Sequence, residues 1–248
     1  MSNIPKSHPR YVSLTTREKI SNGMKKGLVH ETGLIAHGRG EAFDYLIGEE
    51  TQSFAEAAER AAAACLLNAE KPVISVNGNV VTLVSDEIIS LSKCLSAKIE
   101  VNLFHRTDKR MSLLINELKE HGAGKVFGEK ADALIPGLEH DRGLCDKEGI
   151  FSSDVILVPL EDGDRCQALK KMGKKVIAID LNPLSRTAKT ADVTVVDNVI
   201  RAVPNLQKWV EKLKKEEKKT LESIEDSWDN AEKLKEALFF ISDRFKKV

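Results

Sequence analysis

The stretch "SDVILVPLEDGDRCQALKKMGKKVIAIDLNPLSRTAKTADVTVVDN", Ser153 to Asn198, decides the fold. Three of its runs, "SDVILVPL", "KKVIAID" and "ADVTVVD", are short, apolar and rich in valine and isoleucine, as buried strands are. Between the first two lies "EDGDRCQALKKMG", which reads as a helix stopped by glycine. Apolar strands alternating with amphipathic helices predict a mainly parallel, doubly wound sheet.

The same alternation extends outward. "PVISV" and "KIEVNLF" are two more strand candidates, at 72–76 and 98–104. "VVTLVSDEIISLSKCLSA" separates them and "RTDKRMSLLINELKEHGAG" follows, both with helical spacing. The first third is helical in character. "SLTTREKISNGMKKG" ends at a glycine stop, and the alanine-rich "TQSFAEAAERAAAACLLNAEK" ends before Pro72. After Pro204 apolar residues recur every three or four positions, from Leu206, Trp209, Val210 and Leu213 to Ile241 and Phe245. The chain therefore divides into a helical segment (1–70), an α/β core (71–203) and C-terminal helices (204–248).

Composition excludes several classes. Of 248 residues, 42% are hydrophobic and 31% charged, which bounds a globular protein. Thirty-eight basic residues balance 38 acidic ones and only 5% are aromatic, so neither nucleic acid nor an anionic membrane is an expected partner. No run has the length of a signal-peptide core or a membrane span, and a cytoplasmic location is expected. The four cysteines form no C-x-x-C pair, so reduced thiols are expected. Cys145 has His140 close in sequence, a weak hint of a nucleophile.

Ligands of open α/β sheets bind beyond the carboxyl ends of the strands. There "VNGN" offers Asn77 and Asn79, either as ligands or as helix caps. "NLFHRTDKR" places His105, Arg106, Lys109 and Arg110, a set suited to phosphate. "DLNPLSRT" supplies Asp180, Asn182, Ser185, Arg186 and Thr187, and "VVDN" supplies Asp197 and Asn198, polar groups suited to a nucleotide. Upstream, "GLIAHGRGEAFDYLIGE" (33–49) sets His37 and Arg39 among glycines before an expected helix. A surface turn and a glycine-lined anion site both fit it. Neither a P-loop nor the dinucleotide G-x-G-x-x-G is present.

With these residues located, the sequence resembles the archaeal phosphopantothenate synthetase (4-phosphopantoate–β-alanine ligase) family. "IPKSHPRYVSLTTREKI", "GLIAHGRGEAFDYLIGE", "VNGN", "IDLNPLSRTA" and "VVDN" carry the resemblance, up to about Asn198. It implies a Rossmann-like core with helical extensions, a homodimer, and an AMP-forming condensation of (R)-4-phosphopantoate with β-alanine in coenzyme A biosynthesis. ATP is the implied cosubstrate, with Mg²⁺ whose ligands the sequence does not specify. The implied ATP contacts are Arg17, Arg39, Asp180, Leu181, Asn182, Arg186, Thr187, Asn198 and Val199. Arg39 and His37 are candidate catalytic groups, and Asn77, His105 and Arg106 are candidates for binding phosphopantoate. Two other classes remain open at this point: an NADP-dependent oxidoreductase using the basic cluster after "IEVNLF", and a non-catalytic nucleotide-binding assembly protein.

Overall fold

A computed structural model describes residues 4–160 and 162–246. Glu161, at the head of the segment expected to form a helix before Gly173, lies outside them. Three helices come first: α1 (Tyr11–Lys25), α2 (Glu31–Ile47) and α3 (Ser53–Asn68). The α/β part follows as β1 (Val73–Val76), α4 (Gly78–Leu95), β2 (Lys98–Val101), α5 (Asp108–Glu120) and β3 (Val126–Phe127). An excursion carries the two-residue strands β4 (Ala133–Leu134) and β5 (Leu144–Cys145). The chain then returns through β6 (Val155–Pro159), α6 (Gly163–Lys171), β7 (Lys175–Ile179), α7 (Arg186–Thr190) and β8 (Val193–Val195). It finishes with α8 (Val199–Leu213), α9 (Lys218–Asp226) and α10 (Asn230–Phe245).

The main sheet has the order β3-β2-β1-β6-β7-β8, and every pairing in it is parallel. All five strand candidates appear in it, confirming the α/β, Rossmann-like, doubly wound architecture. From β1 the chain builds outward in one direction, then crosses back and builds outward in the other from β6. The β1–β6 seam is therefore the topological switch point, where the loops on either side diverge and leave a crevice.

Alternation along the strands feeds two cores. Leu157, Ile177 and Ile179 pack on one face with residues of α3, α4 and α8. Ile156, Val158, Val176 and Ala178 pack on the other with α6 and the excursion. Small residues of α3 (Ala55, Ala58 and Ala61 to Ala64) are buried and let that helix approach its neighbours closely.

Two readings of the sequence change here. The 33–49 stretch is not a glycine turn before a helix: Gly33, Gly38 and Gly40 lie inside α2, which starts at Glu31. Their N–H groups belong to a helix and form no phosphate cradle. The boundary drawn at 203/204 falls inside α8, because Pro204 is accommodated within that helix. Proline removes one helical hydrogen bond, while Ala202, Val203, Leu206 and Val210 are all fully buried against the core.

The excursion hangs from the end of β2 by side chains. Glu100, fully buried, accepts hydrogen bonds from the N–H groups of Asp146 (2.9 Å) and Ile150 (2.6 Å). Asp146 in turn accepts from the N–H groups of Gly128 and Ala131 at 2.9 and 2.8 Å. Asn102 donates to the carbonyls of Arg142 and Leu144. Only glycine fits at position 149, where a Cβ would lie 1.8 Å from the Glu100 carboxylate.

Candidate active site

A cavity of about 210 Å³ opens beyond the carboxyl ends of β1, β2 and β6, roofed by α2 and its N-cap His30. Its floor begins with Asn77, which caps α4 by accepting from the N–H groups of Asn79 and Val80. The Asn77 amide also donates to the carbonyl of Leu160, across the switch point, at 3.2 Å. Asn79 donates to the carbonyl of Gly33 at 2.9 Å, and a Cβ on Gly33 would lie 2.5 Å from its oxygen. Gly78 has a parallel reason: its Cβ would lie 2.2 Å from the carbonyl oxygen of Leu28. "VNGN" thus fastens the first two helices onto the sheet while facing the cavity.

One side of the cavity is cationic. Arg110 is clamped by the carbonyls of His105 (2.6 Å) and Leu28 (3.1 Å), while its Nε is buried without a hydrogen-bond partner among the described residues. Arg142, largely buried, reaches the same space from the excursion. His30 and His105 stack with ring centroids 3.9 Å apart. Burial, then the neighbouring His105 and Arg110, lowers the His30 pKa and favours its neutral form.

The opposite side is formed by Leu181, Asn198 and Val199, at the ends of β7 and β8. Asp180 holds its own turn: its carboxylate accepts from the Asn182 N–H at 2.9 Å and from the Ser185 hydroxyl. Burial raises its pKa against the pull of those bonds and of Arg39. Ser185 caps α7, Thr187 is buried, and Arg186 pairs with Asp164 at 2.7 Å on the surface. Asn198 caps α8 and donates to Asp44 at 2.7 Å. Asp44 and Asp197 are both buried and share Arg201 between them.

A second cavity, of about 240 Å³, adjoins the first, and His37, Glu41 and Asn198 line both. Burial lowers the His37 pKa and keeps the ring neutral. Glu41, four residues on along α2, accepts from Arg17 and Ser13.

The chain can now be placed among known proteins. The phosphopantothenate/pantothenate synthetase family profile matches residues 54–244. The chain belongs to this family. It is 53% identical over 246 residues to a 4-phosphopantoate–β-alanine ligase of Methanosarcina mazei, covering 99% of this chain and 97% of that protein. A protein of the same name from Thermococcus kodakarensis is 53% identical across 100% of this chain and 95% of its own length. One from Methanospirillum hungatei is 58% identical over 214 residues, 86% of this chain and 87% of its own. The family profile begins in α3, whereas the likeness to the first two relatives takes in α1 and α2 as well.

Of the residues singled out in this synthetase-family sequence, His37, Asn77, His105, Leu181, Asn198 and Val199 meet at the first cavity. Asp180 and Asn182 lie beside it on the turn after β7, with Arg186 and Thr187 in the first turn of α7; Arg17 stands behind Glu41, and Arg39 is exposed on α2. Arg106 does not line it, since its guanidinium donates to the carbonyls of Gly128 and Glu129. Cys145 is no nucleophile: it is fully buried, and burial pushes its thiol up to about 12. The sequence reading passed over His30, Glu41 and Arg142. His30 hides as a helix cap, and Arg142 lies in a segment without periodicity. Among the described residues no group of three or more His, Cys, Asp or Glu side chains is arranged to hold a metal, and no helix is long and apolar enough to cross a membrane.

Proposed function

We propose that the chain is an ATP-dependent, AMP-forming ligase that joins 4-phosphopantoate to β-alanine, using the first cavity as its reaction chamber. The observation that carries this reading is the pairing, across one cavity at the switch point, of a cationic wall (Arg110, Arg142) with the nucleotide-suited ends of β7 and β8. Near full-length likeness to ligases of that name supports it.

The chemistry suits the walls. A carboxylate oxygen of 4-phosphopantoate attacks the α-phosphorus of ATP, the bond to the bridging oxygen breaks, and pyrophosphate leaves. Both reactants are anions, so fixed cations reduce their repulsion and stabilise the departing charge. Arg110 and Arg142 are assigned to the phosphate of 4-phosphopantoate. Arg17 and Arg39 are assigned to the ATP phosphates, and Asp180, Asn182, Thr187, Asn198 and the backbone of Leu181 and Val199 to the nucleoside. Arg186 completes that side once it leaves Asp164.

The amine of β-alanine then attacks the acyl adenylate and AMP leaves, with positioning supplying much of the rate. Mg²⁺ fits as an ion brought in on the ATP phosphates, since it takes few protein ligands and the described residues hold no ready-made cage for it. It would neutralise phosphate charge. The proposal includes a cytoplasmic homodimer, for which exposed Val12 on α1 and Ile35 on α2 offer apolar surface.

Incubation with ATP, 4-phosphopantoate and β-alanine, following nucleotide and product, tests the proposal. AMP and phosphopantothenate in equal amounts are expected. Formation of ADP, or equal activity on unphosphorylated pantoate, would overturn it.

A further inference from the structure

The two cavities differ in charge. The first presents Arg110 and Arg142 against the single carboxylate of Glu41, which suits anions. The second presents Arg10 and Arg201 alongside Glu41, Asp44 and Glu49, so both signs face one small space. A polyanion would meet three carboxylates there. A small zwitterion would find a partner for each end.

Arg201 is already saturated by Asp44 and Asp197, which leaves Arg10 as the available cation. Arg10 Nη2 rests on the Ser13 hydroxyl at 3.3 Å and on Tyr45, but its Nε is buried and has no partner among the described residues. A buried donor of that kind is costly unless something accepts from it. The nearest carboxylate oxygen of Glu41 lies 3.8 Å from Arg10 Nη2, beyond hydrogen-bond range, so opposite charges stand side by side without saturating each other. Among the described residues, His37, on the shared wall, is the one imidazole that faces both cavities.

We infer that the second cavity takes β-alanine, with its carboxylate on Arg10 and its nitrogen turned toward Glu41 and His37. This rests on the ligase reading above. The nitrogen would then enter the first cavity through the wall that His37, Glu41 and Asn198 form. The ammonium first gives one proton to solvent; the lone pair of the neutral amine then bonds to the acyl carbon, the bond from that carbon to the adenylate oxygen breaks, and AMP leaves with the electron pair. His37 Nε2 or Nδ1 takes the proton that the attacking nitrogen sheds and passes it to solvent. Arg17 from α1 opposes that protonation, while Glu41 and Asp44 from α2 favour it.

Exchange of labelled pyrophosphate into ATP requires 4-phosphopantoate but not β-alanine, so it separates the two ideas. Absence of exchange in the wild-type enzyme would overturn the ligase reading itself. With exchange present, Arg10→Ala is expected to raise KM for β-alanine about tenfold or more, the weight of one charged hydrogen bond. It should also abolish the preference for β-alanine over β-alaninamide, which keeps the amine and lacks the carboxylate. Arg10→Lys, which retains the charge, should fall between. His37→Asn should lower kcat for ligation and remove the acidic limb of its pH profile while exchange continues. An unchanged β-alanine KM and amide preference in both Arg10 variants, or a raised KM for ATP in their place, would refute the assignment.

Discussion

Arg17 on α1 places its Nε 2.8 and 2.9 Å from the two carboxylate oxygens of Glu41 on α2. The pair ties the first two helices together at the edge of both cavities. It also means that an ATP phosphate must draw Arg17 away from a carboxylate. Replacing Arg17 with alanine is expected to raise KM for ATP about tenfold or more. Little stability should be lost, because the Arg17 side chain is 46% exposed and such pairs contribute weakly. Steady-state AMP release and a thermal melt of the same variant check both halves.

Arg39 makes a cleaner probe of turnover. It is exposed, and its charge favours the ionised form of Asp180. Arg39→Ala should lose most ligase activity at an unchanged Tm. Full activity in that variant would remove Arg39 from the site.

Arg201 behaves differently. Its Nε lies 2.9 Å from Asp197 and its Nη1 3.3 Å from Asp44, and both carboxylates are buried. Arg201→Met leaves two buried negative charges facing each other. A loss of about 3–5 kcal/mol in urea unfolding is expected.

Glu59 supplies a pH dependence. Burial, and then the charge of Asp197, raises its pKa from 4.5 to about 8 in the folded protein. The folded chain therefore holds a proton there that the unfolded chain has released, and stability from this group is lost as pH rises from about 4.5 to about 8. Glu59→Gln should be more stable than the wild type at pH 8.5, on the order of 3–5 kcal/mol, and equal to it near pH 4. Denaturant melts at the two pH values measure the difference.

Gly78 tests the anchoring of the helical roof. A methyl group at 78 would strike the Leu28 carbonyl, and backbone is poorly able to yield. Gly78→Ala should cost about 1–3 kcal/mol and weaken 4-phosphopantoate binding, since the shifted Leu28 carbonyl also clamps Arg110. Calorimetric titration with that substrate follows the second effect.

The sheet was legible because its strands are nearly continuous valine and isoleucine runs, a pattern that only burial on both faces requires. β3 escaped notice because two residues, Val126 and Phe127, show no period. The helix at 33–49 was masked by its glycines, each a weak helix former. Tertiary contacts override that weakness: Asn79 reaches the Gly33 carbonyl, and Asp44 on the same helix meets Arg201. At the site, the strand ends of β1, β7 and β8 announced themselves through polar residues after apolar runs. Arg142 did not, because bonds accepted by Glu100 and Asp146 and donated by Asn102 place its segment, and such long-range bonds leave no local pattern.

Those bonds give the 128–150 excursion an unusual status. It reaches the chamber without lending a strand to the main sheet; its root is fastened by the carboxylates of Glu100 and Asp146 and the amide of Asn102, and its body by Ile135, Leu138, Cys145 and Ile150 packed in the second core. It is thus a cassette. A protein engineer could exchange its tip, around His140 to Arg142, for another sequence while Glu100, Asp146 and Gly149 keep the socket. The acid accepted by the chamber could then change without rebuilding the nucleotide half.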